Sequence, residues 1–382
     1  MFTNVWKRGR VAALSAVCVA GLLGAGAAGA ASASAGASAA RPQAGVPWSQ
    51  VGPGWTLVEY TNGTMTKHAP TMLYVVSPGG VKYLVHTWPK TAAFPPNLIS
   101  WSGDKTRLLF VSSDPGHLAQ LNLRTGALST ISMQGSVQLI GYTRPHGLNI
   151  LGGAGTGKVV KLARYSLTGK LLKVLATGNE FQVTAIDSAD GTTLAVSTGK
   201  GLELVSNTGG VIRQLPVRGT SQCTPVRWWD SKTIVAVCFD GNLNDIARLW
   251  LVPASGAAPT ALTPRRTASS MDMGDLDAWQ LKSGLYLQSA VACGTVVINR
   301  QNPNHTLTRI NVPGTLNTNN RVLTANGQNL LVDALTECPG TSSLLWFNPA
   351  TKAEKWLFRT PAGALGVLAA FPFYSTENAG GM

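Results

Sequence analysis

The sequence predicts an all-β fold made of repeated four-stranded antiparallel sheets, and three observations carry that expectation. First, Leu98 to Ile131 contains four short apolar runs, Leu98–Trp101, Arg107–Val111, His117–Leu123 and Leu128–Ile131, broken by Ser-Gly-Asp, Ser-Asp-Pro-Gly and Arg-Thr-Gly turns. Strand-length runs bounded by Gly, Pro and Asp form an antiparallel meander. Second, the turns recur. Those between third and fourth strands fall at Gly79, Gly126, Gly169, Gly209, Gly256, near Pro303 and near Pro349, in steps of 40 to 47 residues. First-to-second-strand turns at Gly103, Gly147, Gly191, Asp230-Ser231, Gly284 and Gly327 keep the same period. Third, no helical period holds over a window of normal helix length. A meander with two apolar faces cannot bury both alone, so its copies must stack as neighbours. Seven turns of one period predict a seven-bladed β-propeller of four-stranded antiparallel blades.

The chain divides in order. Lys7, Arg8 and Arg10 precede an apolar, Ala/Gly-rich run from Val11 to about Ala31, followed by small residues. That is the pattern of a secretory signal peptide over residues 1–31. The alternative is an uncleaved anchor, disfavoured because Ala and Gly are weakly hydrophobic. Cys18 follows Val17, which is not small, so a lipoprotein site is not expected. Residues 32–45 are an Ala/Ser-rich, disordered lead-in. The propeller occupies 46–375, and 376–382 are a tail.

The first repeat is short by one strand. Trp55–Tyr60, Thr71–Val76 and Val81–Val85 supply three strands, with none ahead of them. The missing one appears at the other end, where Gly363–Phe371 has the character of the inner strand Val137–Tyr142. The C-terminal run is therefore expected to pair beside Trp55–Tyr60 and close the ring, which removes an open edge. Trp250 and Trp346 occupy matching slots two repeats apart, in Arg248–Gly256 and Leu344–Lys352. They are expected to fill the wedge between neighbouring sheets. The longer loops, Thr61–Pro70, Phe239–Asp245 and Pro264–Gly274, are where function is expected.

Four cysteines follow the leader: Cys223, Cys238, Cys293 and Cys338. An even count in an exported chain favours two disulfides, for which three connectivities exist. Cys223 and Cys238 are equidistant from the Asp230-Ser231 turn, and Cys293 and Cys338 are equivalent points on adjacent repeats. The expected bridges are 223–238 and 293–338. No Cys-x-x-Cys pair supports zinc.

The formal charge of +14 falls to +11, 28 basic against 17 acidic residues, without Lys7, Arg8 and Arg10. The basic residues are dispersed, with Arg265-Arg266 the only adjacent pair after the leader. Nucleic acid is not an expected partner without a basic cluster or binding motif. Weak attraction to anionic cell-wall polymers is. With 45% hydrophobic and 13% charged residues the chain can bury a core.

Motifs that could carry chemistry are incomplete. Gly152 to Lys158 nearly satisfies a phosphate loop, but Val159 stands where the magnesium-binding hydroxyl belongs, and Val159–Tyr165 alternates as a strand. Asp240 to Asp245 resembles a calcium loop, yet its sixth position is Asp245 and its twelfth Leu251, where Gly and Glu are needed. Asp272, Asp275 and Asp277 form the densest acidic cluster and lead into an inner strand. Carboxylates there could serve a glycosidase or bind a cation, or they could be strand-entry turn chemistry. The five histidines share no spacing, and no Gly-x-Ser-x-Gly elbow occurs. No cofactor or metal is expected.

Two hairpins carry a resemblance. Trp101-Ser102-Gly103-Asp104-Lys105-Thr106-Arg107-Leu108-Leu109 and Asp187-Ser188-Ala189-Asp190-Gly191-Thr192-Thr193-Leu194-Ala195 resemble the SPDGxxLA hairpin of TolB-like and WD-like propeller repeats in exported bacterial proteins. The resemblance runs from about Val46 to Phe373. It implies the propeller fold and little about activity, because the motif is a structural turn. TolB has a further N-terminal domain and an envelope complex, for which this chain lacks room, so that role does not carry over.

The expected function is therefore a secreted or envelope-associated monomeric propeller acting as a binding or scaffold module for a protein or polysaccharide, with no membrane span after leader cleavage. Arg227, Trp228, Asp275 and Asp277 are the candidate contacts. The alternative is an extracellular carbohydrate-active enzyme, a glycosidase or lyase, with carboxylates at the channel mouth.

Overall fold

The computed structural model describes residues 45–64, 66–89, 97–111, 117–133, 136–156, 159–179, 184–198, 201–217, 222–239, 246–267, 269, 272–291, 295–337 and 340–373. The leader and lead-in as far as residue 44, the tail, Cys293, Cys338 and the 240–245 loop lie outside them. The described residues form 28 strands and no α-helix.

The strands are β1 (Thr56–Thr61), β2 (Thr71–Val76), β3 (Lys82–Trp88), β4 (Asn97–Trp101), β5 (Arg107–Val111), β6 (His117–Asn122), β7 (Leu128–Ser132), β8 (Ser136–Tyr142), β9 (Ile150–Thr156), β10 (Val159–Tyr165), β11 (Leu171–Asn179), β12 (Thr184–Asp187), β13 (Thr193–Thr198) and β14 (Gly201–Ser206). They continue as β15 (Val211–Gln214), β16 (Gln222–Trp228), β17 (Thr233–Phe239), β18 (Arg248–Pro253), β19 (Thr260–Ala261), β20 (Gly274–Leu281), β21 (Gly284–Val291), β22 (Thr295–Gln301), β23 (Leu307–Arg309), β24 (Asn320–Asn326), β25 (Asn329–Glu337), β26 (Thr341–Phe347), β27 (Glu354–Phe358) and β28 (Gly366–Pro372).

Five four-stranded antiparallel meanders follow one another: β4–β7, β8–β11, β12–β15, β16–β19 and β20–β23. The remaining strands form one mixed sheet in the order β24-β25-β26-β28-β1-β2-β3, with β27 on β26. Its two parts meet through a single parallel pair, Ser342 and Gly366, whereas β28 pairs antiparallel with β1 from Thr56–Pro372 to Thr61–Gly366. The sheets pack face to face. Leu109, Leu118 and Ile131 meet Tyr142, Ile150 and Ala163 of the next sheet, and Val235, Val237 and Leu249 meet Ala278 and Leu287. The outermost strands are the exposed ones, β15 along its whole length. Trp346 packs with Val58 and Val76 between its own sheet region and β1–β2.

A bulge marks the first strand of four meanders, at Ile99, Ile140, Val226 and Leu276. It recurs at Leu323 of β24 against β25 and at Leu368 of β28 against β1. An extra residue of one strand bends it and tightens its twist. All six are aliphatic, and β28 shares this first-strand signature. The bulge also corrects the Asp230-Ser231 hairpin. Cys223 does face Cys238, but beyond Val226 the register slips so that Trp228 pairs with Ile234. The turn is accordingly longer than two residues, closed by the Trp229 N–H donating to the Thr233 carbonyl at 2.8 Å.

Candidate functional site

The acidic stretch and the candidate contacts come together where the β16–β19 meander meets β20–β23. Gly274 opens β20 at φ +102°, and a Cβ there would lie 2.3 Å from the Ala247 backbone, so only glycine fits. This close approach lets the Asp275 N–H donate to the Ala247 carbonyl at 2.9 Å. It draws β20 against the preceding sheet.

Asp275 is fully buried, at 0% exposure. Arg266 closes on it with two bonds, Nη1 to Oδ2 at 2.8 Å and Nη2 to Oδ1 at 2.9 Å, and reaches Asp272 Oδ2 through Nε at 2.8 Å. The Ser289 hydroxyl donates to Asp275 Oδ1 at 2.7 Å, and the Asn299 amide to Ser289 Oγ at 2.9 Å. Burial works against the Arg266 charge, but its bonds to Asp275 and Asp272 outweigh that and raise its pKa. Bidentate arginine–carboxylate pairs are among the stronger charge-assisted bonds.

Arg227 performs the second bridge. Its Nε donates to Asp277 Oδ1 at 2.9 Å, its Nη2 to the Ala278 carbonyl, and its Nη1 to the Trp228 carbonyl at 3.4 Å. Its guanidinium also lies over Trp229 and Trp279, 5.1 and 5.6 Å from the ring centroids. Burial pushes the Asp277 carboxyl up, against the opposing pull of Arg227 and Arg321. Trp228 itself is buried, packed with Cys223, Ile234 and Ala236. Thus Arg227 and Asp277 pair directly, Asp275 pairs elsewhere, and Trp228 belongs to the core.

Cys223 and Cys238 form the expected disulfide. Among the described residues no group of three or more His, Cys, Asp or Glu is placed to hold a metal ion. The phosphate-loop resemblance resolves into β9 and β10, paired antiparallel from Thr156–Val159 onwards. A surface groove of about 260 Å³ lies apart from the acidic cluster, lined by Pro78, Asn326, Asn329, Trp346, Glu354 and Lys355.

Sequence reasoning missed the partners. Arg266 and Ser289 satisfy Asp275, with Asn299 behind Ser289, and of these only Arg266 was signalled, by the Arg265-Arg266 pair next to the acidic stretch. Two further carboxylates stand out. Glu59 is 2% exposed, and burial raises its pKa to about 8, with Oε1 lacking a hydrogen-bond partner. Burial raises Asp187 to about 7, opposed by Arg144 and Arg164.

No known family model matches the sequence, and no curated protein does. Solved structures do match. A puromycin-hydrolyzing peptidase from Mycobacterium tuberculosis aligns over 85% of this chain and 56% of its own, at 15% identity and a TM-score of 0.52. A prolyl endopeptidase aligns over 80% and 50%, at 13% identity and a TM-score of 0.53. A TolB structure from Agrobacterium tumefaciens aligns over 67% and 88%, at 16% identity and a TM-score of 0.38. The chain spans about half the length of the two peptidases. At such identities the likeness concerns fold alone, and the successive four-stranded antiparallel sheets of this chain are of the β-propeller kind.

Proposed function

We propose that this chain is an exported seven-bladed β-propeller, closed by its C-terminal strand, which works as a binding or scaffold module. The blade count follows if β28 is counted with β1–β3 and β24–β27 form a blade of their own. The single Ser342–Gly366 pair between those parts, and the first-strand bulge of β28, support this division. Export is supported by the Cys223–Cys238 disulfide, because such bonds persist in oxidising compartments.

The observation that carries the binding reading is the saturation of the acidic cluster. Asp275 is tied by Arg266 and Ser289, and Asp277 by Arg227. Glycoside hydrolysis needs two carboxylates working across a pocket, whereas Asp277 is bonded across to Arg227 of β16 and Asp275 is enclosed by a loop arginine and Ser289 of its own sheet. Ligand recognition then falls to loops where the copies differ.

Two measurements test the proposal. The purified protein is incubated with isolated cell-wall polysaccharides and envelope proteins, while binding and product formation are followed together. Saturable binding with unchanged polymer is expected; turnover, or no binding to any fraction, would overturn the module reading. Deleting residues after Pro361 removes β28 and should abolish the cooperative thermal transition. An unchanged melting temperature would rule out closure.

A further inference from the structure

The outermost strands begin differently from copy to copy, and two neighbours share a feature the others lack. Directly after its turn, β11 begins Leu171-Leu172-Lys173, and β15 begins Val211-Ile212-Arg213. At the start of the other outer strands stand Lys82-Tyr83, Leu128-Ser129, Thr260-Ala261, Leu307-Thr308 and Glu354-Lys355. The aliphatic side chains are outside: Leu171 is 53% exposed, Leu172 48%, Val211 54% and Ile212 51%.

Both strands carry a register shift at the second aliphatic residue. Tyr165 pairs with Leu171 and Arg164 with Lys173, skipping Leu172. Val205 pairs with Val211 and Leu204 with Arg213, skipping Ile212. The two edges are contiguous, because a Cβ on Gly209, in the turn before β15, would lie 2.7 Å from Lys173 Cε. Lys170, Lys173 and Arg213 stand exposed along these two edges, and Glu203, opposite Gln214, is buried and accepts a hydrogen bond from its amide.

We propose that this ridge docks on an anionic phospholipid bilayer. Exposed aliphatic residues beside lysine and arginine match the headgroup boundary, where apolar side chains insert and lysine or arginine stems reach phosphates. An added partner strand fits less well. The bulges break the regular edge such a strand would need, and β11 and β15 are outer edges of their sheets, not walls of a groove. The inference is independent of the ligand proposed for the loops.

Hydrogen–deuterium exchange of the full chain with vesicles tests it, and reads the ridge separately from any contribution of the leader. With vesicles of equal phosphatidylglycerol and phosphatidylcholine, amides of 170–175 and 210–215 should slow, and phosphatidylcholine alone should leave them unchanged. Replacing Leu171, Leu172, Val211 and Ile212 by serine, at exposed positions that keep the fold, should remove this protection. Lys173→Gln with Arg213→Gln should weaken it about 25-fold, roughly fivefold per charge. Three results would each overturn the proposal: vesicle binding without protection of these segments, no vesicle binding at all, or equal protection by polyglutamate, which would mark an acidic-polymer site.

Discussion

The joint at Arg107 and the joint at Arg266 each neutralise a carboxylate, in surroundings that differ. In the first, Arg107 belongs to the repeated hairpin. It bonds Asp104 at 2.6 Å within its own turn and donates to the Gly147 carbonyl of the next sheet at 3.1 Å. Asp104 also accepts from the Ser102 and Thr106 hydroxyls. In the second, Arg266 comes from a long loop and closes on Asp275 of β20, which is buried completely. Glu59 is the third case, a buried carboxylate with no arginine on it among the described residues. Asp104 is partly exposed, whereas Asp275 and Glu59 are both buried and only Asp275 has an arginine on it, and those differences order the energetics.

The largest effect is expected at Arg266. Arg266→Met leaves Asp275 charged and buried without its partner, a situation that costs about 3–5 kcal/mol. Adding Asp275→Asn to the same chain should recover a substantial part, because the uncompensated charge is gone. Urea denaturation of both variants measures this. A loss below about 1 kcal/mol for the single variant would free the acidic cluster for a ligand and reverse its reading as a joint.

Glu59 should reveal itself through pH. Its folded pKa, about 8, lies above the ordinary value of 4.5, so the native state holds a proton that the unfolded chain has released. Its contribution is therefore fully present below about pH 4.5 and is lost as pH rises toward 8. Glu59→Gln keeps the neutral shape and removes the dependence. The variant should gain on the order of a few kcal/mol over wild type at pH 8–9 and nothing at pH 4. Equal pH profiles for the two proteins would mean that Glu59 is solvated or partnered in solution.

Much of the architecture was legible because it rests on local chemistry. β5 and β2 begin and end where turn residues and apolar runs place them, and the Cys223–Cys238 pair followed from symmetry about one hairpin. The first-strand bulges were not legible, since Ile99 or Leu276 looks like any other strand residue until its partner strand is known. The partners of the candidate site were illegible for the same reason in a stronger form. Asp275 and Asp277 look alike in sequence, yet one is claimed by a loop arginine nine residues earlier and the other by Arg227 on another sheet. Charge partners chosen by tertiary packing leave no periodic trace. The acidic cluster marked a real convergence, and its role depended on residues the sequence places elsewhere.

The smallest effect belongs to the hairpin joint. Burial pushes the Asp104 carboxyl up, but bonds from Ser102 and Thr106 and the Arg107 charge outweigh it and hold the pKa below its ordinary value. Its contribution is present above the unfolded pKa and fades as pH falls through the folded one. Arg107→Met removes only one of those supports, at a partly exposed pair, so about 1 kcal/mol is expected at neutral pH. The same change should shift the acid-side midpoint upward slightly, because Asp104 then titrates closer to its unfolded value. If Arg107→Met instead costs as much as Arg266→Met, the Gly147 carbonyl bond carries the joint. Burial would then no longer explain the ranking of the two arginines.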